Sequence, residues 1–250
     1  MSIPSSAIFD LPAHKRERRK DARPGELLAA ALDVFVEKGF AATRVEEVAL
    51  RAGVSKGTLF LYFASKEELF KALVRENITS SFPHWRDELQ SFTGSQAAML
   101  HLSAQGWWVH LGATRATGIV KLMISEGAKF PDLLRFYQAE VIAPGDQLLL
   151  DILQRGVALG EFRADARLVD VVHSFVAAML YLVIGKHMPP GGDGLRLPME
   201  PREFLTNHVK LLLAGISTSV HTVALAAAQA QAHMNSIAQA SLCTPCAQLA

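Results

Sequence analysis

Apolar residues recur at helical spacing through most of the chain, and the alternation typical of strands is absent. In the second half this spacing predicts five helices, with Pro144-Gly145 kinking or splitting the third and Gly160 ending it. Their approximate ranges are 96–115, 117–127, 131–158, 165–187 and 200–227. The pattern therefore predicts an all-α fold.

The first half predicts three helices followed by the start of a fourth. The first helix covers 24–38, with Pro24 in its first turn and Gly39 as its stop. The fourth starts at Ser65 and continues past Asn77. Its opening Ser65-Lys66-Glu67-Glu68 is typical of a capping box, in which Ser65 and Glu68 each satisfy a free donor at the helix start.

Between these two helices, the window TRVEEVALRAGVSKGTLFLYFASK (43–66) predicts a helix-turn-helix. One helix buries a face at helical spacing, formed by Val45, Val48, Ala49 and Ala52. Gly53 then supplies the left-handed conformation of a helix C-cap, and Ser55 can cap a second helix over 56–62. In that helix Leu59 and Phe63 face inward. Its outward residues are Lys56, Thr58 and Tyr62, a basic and polar face suited to the DNA major groove.

The run GVSKGTLFLYFASKEELF resembles the DNA-binding signature of the TetR family of one-component transcriptional repressors, and the likeness extends from about Arg23 to Val74. The resemblance implies an N-terminal three-helix helix-turn-helix DNA-binding domain and a C-terminal helical ligand-binding and dimerisation domain. In the second half the segment Ser125 to Phe162 looks like the corresponding part of many relatives.

Nine residues are expected to form the DNA-binding surface: Thr43, Arg44, Ser55, Lys56, Gly57, Thr58, Phe60, Tyr62 and Lys66. Lys56 can reach a guanine edge or a phosphate, and Thr58 a base or a thymine methyl. The resemblance implies phosphate contacts for Tyr62 and Lys66. The alternative for each lysine or tyrosine is an ordinary solvated surface.

Two positions depart from the family pattern. Phe60 stands where Tyr is common, which leaves only apolar contact. Arg44 replaces a small hydroxyl residue, which moves the expected helix cap to Thr43, with Glu46 as its partner. Both departures affect which DNA sequence is bound, not whether DNA is bound.

The resemblance, together with charge and composition, divides the chain into four expected segments: a disordered basic leader (1–22), the DNA-binding domain (23–75), an effector-binding and dimerisation domain (76–228) and a flexible Ala/Gln-rich tail (229–250). Residues 1–75 carry 13 Lys and Arg against 10 Asp and Glu, and residues 76–250 carry 12 against 14. His14 to Arg23 holds six of the basic residues. This stretch is either an arm that touches DNA or a solvated tail.

The two cysteines, Cys243 and Cys246, form a CxxC motif without the second pair or the strand pattern that a zinc or redox site needs, so we interpret them as thiols in the tail. No metal site and no cofactor are expected. The most apolar stretch, Val171 to Gly185, is short for a membrane span and is interpreted as a buried or interface helix. Low cysteine content and the lack of a signal-peptide pattern favour a cytoplasmic protein.

Candidate cavity-lining residues are the aromatic and sulfur-containing side chains of the second half together with one histidine: Trp107, Trp108, His110, Met123, Phe136, Tyr137, Phe175 and Met179. Core packing is the alternative for each of them. Adjacent helical residues point about 100° apart, so only one of Trp107 and Trp108 is expected to line the cavity. His101, His110, Glu126 and His173 are the candidate polar anchors.

Together these features predict a homodimeric DNA-binding regulator, most simply a repressor. Its partners would be a near-palindromic DNA operator and a small hydrophobic or aromatic effector. The helices near 165–187 and 200–227 are expected to pair with their copies in the dimer. Two other readings remain: an architectural DNA-binding protein without an effector, and an enzyme, for which no acid–base or metal constellation is visible.

Overall fold

The computed structural model describes residues 14–188, 200–219 and 226–236, and for residues 14–23 the backbone alone. The chain divides into two compact units between Leu73 and Val74, close to the predicted domain boundary after residue 75. In the described ranges all regular structure is helical apart from one isolated bridge between Phe162 and Ser217. The predicted all-α fold is therefore confirmed.

Four helices form the first unit, and the last of them crosses the boundary into the second. They are α1 (His14–Ala42), α2 (Val45–Arg51), α3 (Lys56–Phe60) and α4 (Lys66–Asn77). Helix α1 begins at His14 and therefore includes residues 14–22 of the predicted leader. That stretch is dominated by Lys, Arg, Glu and Ala, which favour helix, and the helix continues through Pro24 rather than starting there. Residues 1–13 lie outside the described part of the chain.

Gly39 interrupts α1, as expected, with a φ of 80° that only glycine adopts readily. The chain can therefore turn back on itself at this point, and three phenylalanines meet in the core of the first unit. The rings of Phe35, Phe40 and Phe70 lie 5.3 to 5.7 Å apart. This aromatic cluster fixes α4 against the end of α1, and so sets the frame that carries α2 and α3.

Seven helices follow: α5 (Phe82–Ser91), α6 (Gln96–Trp107), α7 (Thr117–Glu126), α8 (Pro131–Tyr137), α9 (Ala143–Ala158), α10 (Leu168–Lys186) and α11 (Pro201–Ile216). Helix α6 passes into a π-helical turn, Trp108–Gly112, before the predicted end at 115. A second π turn, Gln138–Ile142, joins α8 to α9 just before Pro144, where a break was predicted. Gly160, with a φ of 74°, ends α9 as expected.

The last predicted helix, 200–227, ends earlier than expected, at Ile216. Ser217 pairs with Phe162 in the isolated bridge, and Thr218 N donates to Glu161 O at 2.9 Å, so this backbone is held extended. Residues 226–236 are again helical, with Ala226 and Ala230 buried. The part of the predicted tail at residues 229–236 is therefore helical, and its apolar face packs on the core. Cys243 and Cys246 lie outside the described residues.

Helix α10 is long and apolar enough to cross a membrane, with 19 residues and a mean hydropathy of 2.0 over an 18-residue window. Its inner face, however, belongs to the core of the second unit, where Val172, Phe175, Leu182 and Val183 are buried. Core helices have the same composition. The packing therefore supports the interpretation of α10 as a buried or interface helix.

Candidate DNA-binding surface and ligand cavity

The turn between α2 and α3 has the backbone that its sequence predicts. Gly53 adopts a φ of 66°, and Val54 N donates to Ala49 O at 2.9 Å, which closes the end of α2. Ser55 caps α3, because its Oγ accepts from Thr58 N at 3.0 Å. Leu59 and Phe63 are buried, as expected, and hold the short helix on the unit.

The outer face of α3 is exposed and basic. Lys56 Nζ forms an ion pair with Glu46 Oε1 at 2.6 Å and lies 5.7 Å from the centroid of the Phe60 ring. This pair lowers the pKa of the Glu46 carboxyl, first through its hydrogen bond to Lys56. Phe60 and Tyr62 are 40% and 38% exposed. The face thus offers one cation, Lys56, which can exchange its ion pair with Glu46 for another anion. It also offers the aromatic rings of Phe60 and Tyr62.

Gly57 and Thr58 complete this face. Among the described residues a Cβ at Gly57 would meet only the Ser55 hydroxyl, at 3.7 Å, so the space beside it is open. The Thr58 hydroxyl lies 2.9 Å from the Ser55 hydroxyl, and one of the two donates to the other. This contact orients Thr58 beside the start of α3. A DNA backbone or base edge can approach at the glycine.

Thr43 and Arg44 differ from expectation. Thr43 is only 3% exposed, and its hydroxyl donates to Gly39 O at 2.6 Å, so it does not cap α2. The N-cap of α2 is Arg44, which has no side-chain cap bond. Glu46 is the partner of Lys56, not of a Thr43 cap. The turn at Gly39 points Thr43 inward, which spacing alone does not show. Arg44 remains exposed.

Lys66, for which the family resemblance implies a phosphate contact, is held by backbone carbonyls in this structure. Its Nζ donates to Phe40 O at 2.8 Å and Thr43 O at 3.2 Å, with Ala41 O at 3.4 Å. It also lies 4.5 Å from the centroid of the Phe40 ring. Its ammonium group therefore neutralises the carbonyl end of α1. These contacts account for a lysine at this position without a phosphate contact.

At the start of α4, half of the predicted capping box is present. Ser65 Oγ accepts from Glu68 N at 3.2 Å. The Glu68 carboxylate turns the other way and accepts from Lys71 Nζ at 2.8 Å.

A cavity of about 660 Å³ lies within the second unit. Its walls come from the segment after α4, from α5 through α10 and from both π turns, and they are largely apolar. This volume is within the range of natural small-molecule sites, and such sites combine apolar walls with few polar groups.

The structure places four of the eight predicted lining residues on the wall: Trp107, Met123, Tyr137 and Met179. Trp108 instead packs against the core cluster, and Phe175 is buried inside that cluster. Phe136 lies under the Arg75 guanidinium, 5.0 Å from it. His110 is exposed, with its ring 6.4 Å from that of Trp85. These four residues do not line the cavity because they pack against residues far away in sequence. Helical spacing cannot identify such partners.

Of the candidate polar anchors, only His173 lies on the wall. His101 is buried elsewhere, and its burial lowers its pKa to about 4. Burial also raises the pKa of Tyr137, far above its usual range. The acidic wall residues Glu88 and Asp146 were missed, as were Phe82 and Trp85. For Asp146 the apolar residues around it, Leu148, Leu149 and Ile152, were the available signal. No group of three metal-binding side chains is found among the described residues.

Family models match both parts of the chain. Residues 27–73 match bacterial regulatory proteins of the tetR family, and residues 92–196 match the tetracyclin repressor-like C-terminal domain. Together the two ranges cover more than half of the 250 residues. The chain belongs to the tetR family. Its members are transcriptional regulators, which identifies this protein as a DNA-binding regulator of the ligand-responsive repressor type.

Individual relatives agree with this assignment. The repressor KstR2 of Mycobacterium tuberculosis is 27% identical over 209 residues, spanning 79% of this chain and 94% of the relative. The regulator RutR of Escherichia coli is 32% identical over 139 residues, 56% of this chain and 57% of RutR. The solved structure of KstR2 superposes with a TM-score of 0.57 at 25% identity, covering 79% of this chain and 96% of that one.

Proposed function

We propose that this tetR-family regulator is a cytoplasmic homodimer that binds a near-palindromic operator through α3 and responds to a small hydrophobic effector in the second unit. The observation that carries the proposal is the co-occurrence of a Ser55-capped, outward-facing α3 and a large apolar cavity in one chain. A dimer spaces two such helices about one helical turn of DNA apart, roughly 34–36 Å.

The DNA contacts are assigned to the exposed face of α3. Lys56 exchanges its ion pair with Glu46 for a phosphate or a guanine edge, since an exposed pair of this kind is worth little. Gly57 permits close approach, Thr58 and Phe60 meet base edges, and Tyr62 bonds a phosphate. Arg44, exposed at the start of α2, adds a phosphate contact. Ser55 acts by capping.

The effector is assigned to the cavity because its wall supplies apolar area and few polar groups. The related KstR2 is described as a ketosteroid transcriptional regulator, a class of ligand with a large apolar body. The effector acts by having different affinities for the DNA-competent state and the alternative state. An architectural protein without an effector would have no need of such a cavity, so the cavity favours the regulator over that reading.

The test of DNA recognition starts with selection from a random duplex library, followed by anisotropy titrations on the enriched site. A two-fold symmetric site is expected. Thr58→Ala and Lys56→Ala should each reduce preference for that site by about 1–3 kcal/mol per base contact. Lys129→Ala, an exposed lysine in the second unit, is the matched control and should change nothing. Equal enrichment of all sequences would exclude a specific operator.

A further inference from the structure

The cavity wall has an uneven distribution of charge. In the described part of the chain its ionisable side chains are Glu88, Asp146 and His173, along with the buried phenol of Tyr137. No lysine or arginine in the described ranges lines it. The permanent charges on the wall are therefore acidic, and an anionic head group inside the cavity would meet carboxylates without a cationic side chain to pair with.

Asp146 is the wall carboxylate that pairs with no described cation at hydrogen-bond distance, although His173 on the same wall acts on it through its charge. It lies in the first turn of α9, and burial raises its pKa, opposed only by the charge of His173. No hydrogen bond or ion pair to its side chain is found among the described residues. Glu88 differs, because its Oε1 lies 3.9 Å from His233 Nε2. A half-buried carboxylate in an apolar wall is an acceptor that a donor on the ligand would satisfy.

The rest of the wall suits a positive charge as well as an apolar body. Phe82, Trp85, Trp107 and Tyr137 all line the cavity. Aromatic faces attract cations through their quadrupole, and tryptophan does so most strongly. Apart from Ser103 and two glycines, the remaining wall is aliphatic or sulfur-containing and takes hydrocarbon.

We infer that the effector is a hydrophobic cation, an apolar body carrying a protonated amine, and that Asp146 is its counter-ion in the cavity. This inference rests on the proposed function and narrows it from hydrophobic molecules in general to one charge class. Neutral molecules with the same body bind more weakly, and carboxylates or phosphates bind weakest. The aromatic residues supply a second, weaker contact for the ammonium group.

The test uses three probes with the same ten-carbon chain, each below its micelle concentration: decylammonium, 1-decanol and decanoate. Binding to the full-length protein is followed by tryptophan emission, because Trp85 and Trp107 line the cavity. At pH 7.5 decylammonium should bind on the order of tenfold more tightly than decanol, the advantage of a charge-assisted hydrogen bond. Decanoate should bind more weakly than decanol.

The decisive variant is Asp146→Asn, which keeps the shape and removes the charge. It should lose most of the preference for decylammonium and leave decanol within about twofold. Ser103→Ala, another polar residue of the wall, is the matched control and should preserve the order of the three probes. Circular dichroism confirms that each variant is folded. Glu88→Gln should have the smaller effect, since Glu88 already faces His233.

Three results would overturn the inference: decanoate binding as tightly as decylammonium, a preference that survives Asp146→Asn, or no binding by any probe. Operator affinity measured on the same samples distinguishes failure of the cationic effector from failure of the proposed regulator function. Release of operator by decanoate at lower concentrations than by decylammonium would leave the proposed regulator standing and refute the cationic effector. Failure to bind any specific DNA would refute the proposed function whatever the probes do.

Discussion

At the residue scale, Lys66 shows how one side chain can fit a motif and yet have another role. The family resemblance implies a phosphate contact, whereas the structure places its ammonium group on the carbonyls of Phe40, Ala41 and Thr43. Carbonyls at a helix end have no partner within the helix, and a cation there is favoured by the helix dipole. Lys66 therefore stabilises the frame on which α2 and α3 are mounted.

We accordingly predict that Lys66→Met lowers the stability of the first unit. Methionine keeps the packing of the stem against Phe40 but removes hydrogen bonds from a charged donor, worth about 1.5–3 kcal/mol in total. Thermal unfolding without DNA should show the loss, and amide exchange should localise it to residues 40–43. Lys38→Met removes only the exposed pair with Glu47 and should cost about 1 kcal/mol or less.

The opposite result has a clear meaning. If Lys66→Met leaves unfolding unchanged but reduces the salt slope of DNA binding by about one unit, the lysine contacts a phosphate after all.

Thr43 and Ser55 show how far single residues can be read from sequence. Both are hydroxyl residues just ahead of a predicted helix, and both were expected to cap. Ser55 does so, because Gly53 and Val54 place it at the start of α3. Thr43 follows the Gly39 turn, which directs its hydroxyl to the Gly39 carbonyl instead. An N-cap can thus be predicted where neighbouring residues fix the preceding turn, as Gly53 and Val54 do. It cannot be predicted where distant residues fix the turn, as the aromatic cluster does at Gly39.

At the element scale, helical periodicity predicted most of the described helices, and the errors lie at their ends. Helix α11 stops at Ile216 because Ser217 and Thr218 bond the segment after α9, some 55 residues earlier in the chain. The two π turns also fall at the ends of helices, after α6 and after α8. Half of the predicted lining residues lie on the cavity wall, because helical spacing identifies the inner face of each helix. The same spacing does not distinguish inner residues that line a cavity from those packed in the core.

The π turn after α6 supplies the second prediction, a pair of glycine substitutions with opposite effects. A Cβ at Gly112 would overlap the Trp108 ring and come within 3.0 Å of Trp107, so Gly112→Ala must displace a tryptophan. We expect it to destabilise the protein by about 1–3 kcal/mol and to shift tryptophan emission. A Cβ at Gly106, in α6 itself, meets nothing within 4 Å.

Gly106→Ala is therefore the control, and it should stabilise the protein by about 0.5–1 kcal/mol through reduced backbone entropy of the unfolded chain. Urea unfolding measures both variants. Equal behaviour of the two alanines would show that the tryptophans repack freely around the turn.

At the scale of the whole molecule, α10 and α11 bury one face and leave apolar side chains on the other. Val169 and Ile184 on α10 are exposed, and Leu211 on α11 is 73% exposed. Exposed apolar surface on neighbouring helices is typical of an interface between copies of a chain. A two-fold dimer would also present two copies of α3 to a two-fold operator.

The last prediction joins assembly to DNA binding. Leu211→Arg places a charge in the proposed interface and should convert the dimer into a monomer, measured by sedimentation at micromolar protein. Leu159→Arg, at the C-terminal end of α9 and 61% exposed, is the matched control and should remain dimeric. Loss of the dimer removes the link between two half-site contacts, so affinity for the full operator should fall by roughly 10²–10⁴. Affinity for an isolated half-site should stay the same, because α3 and its cap are untouched. A monomer that binds the full operator as tightly as the wild type would rule out the paired arrangement of recognition helices.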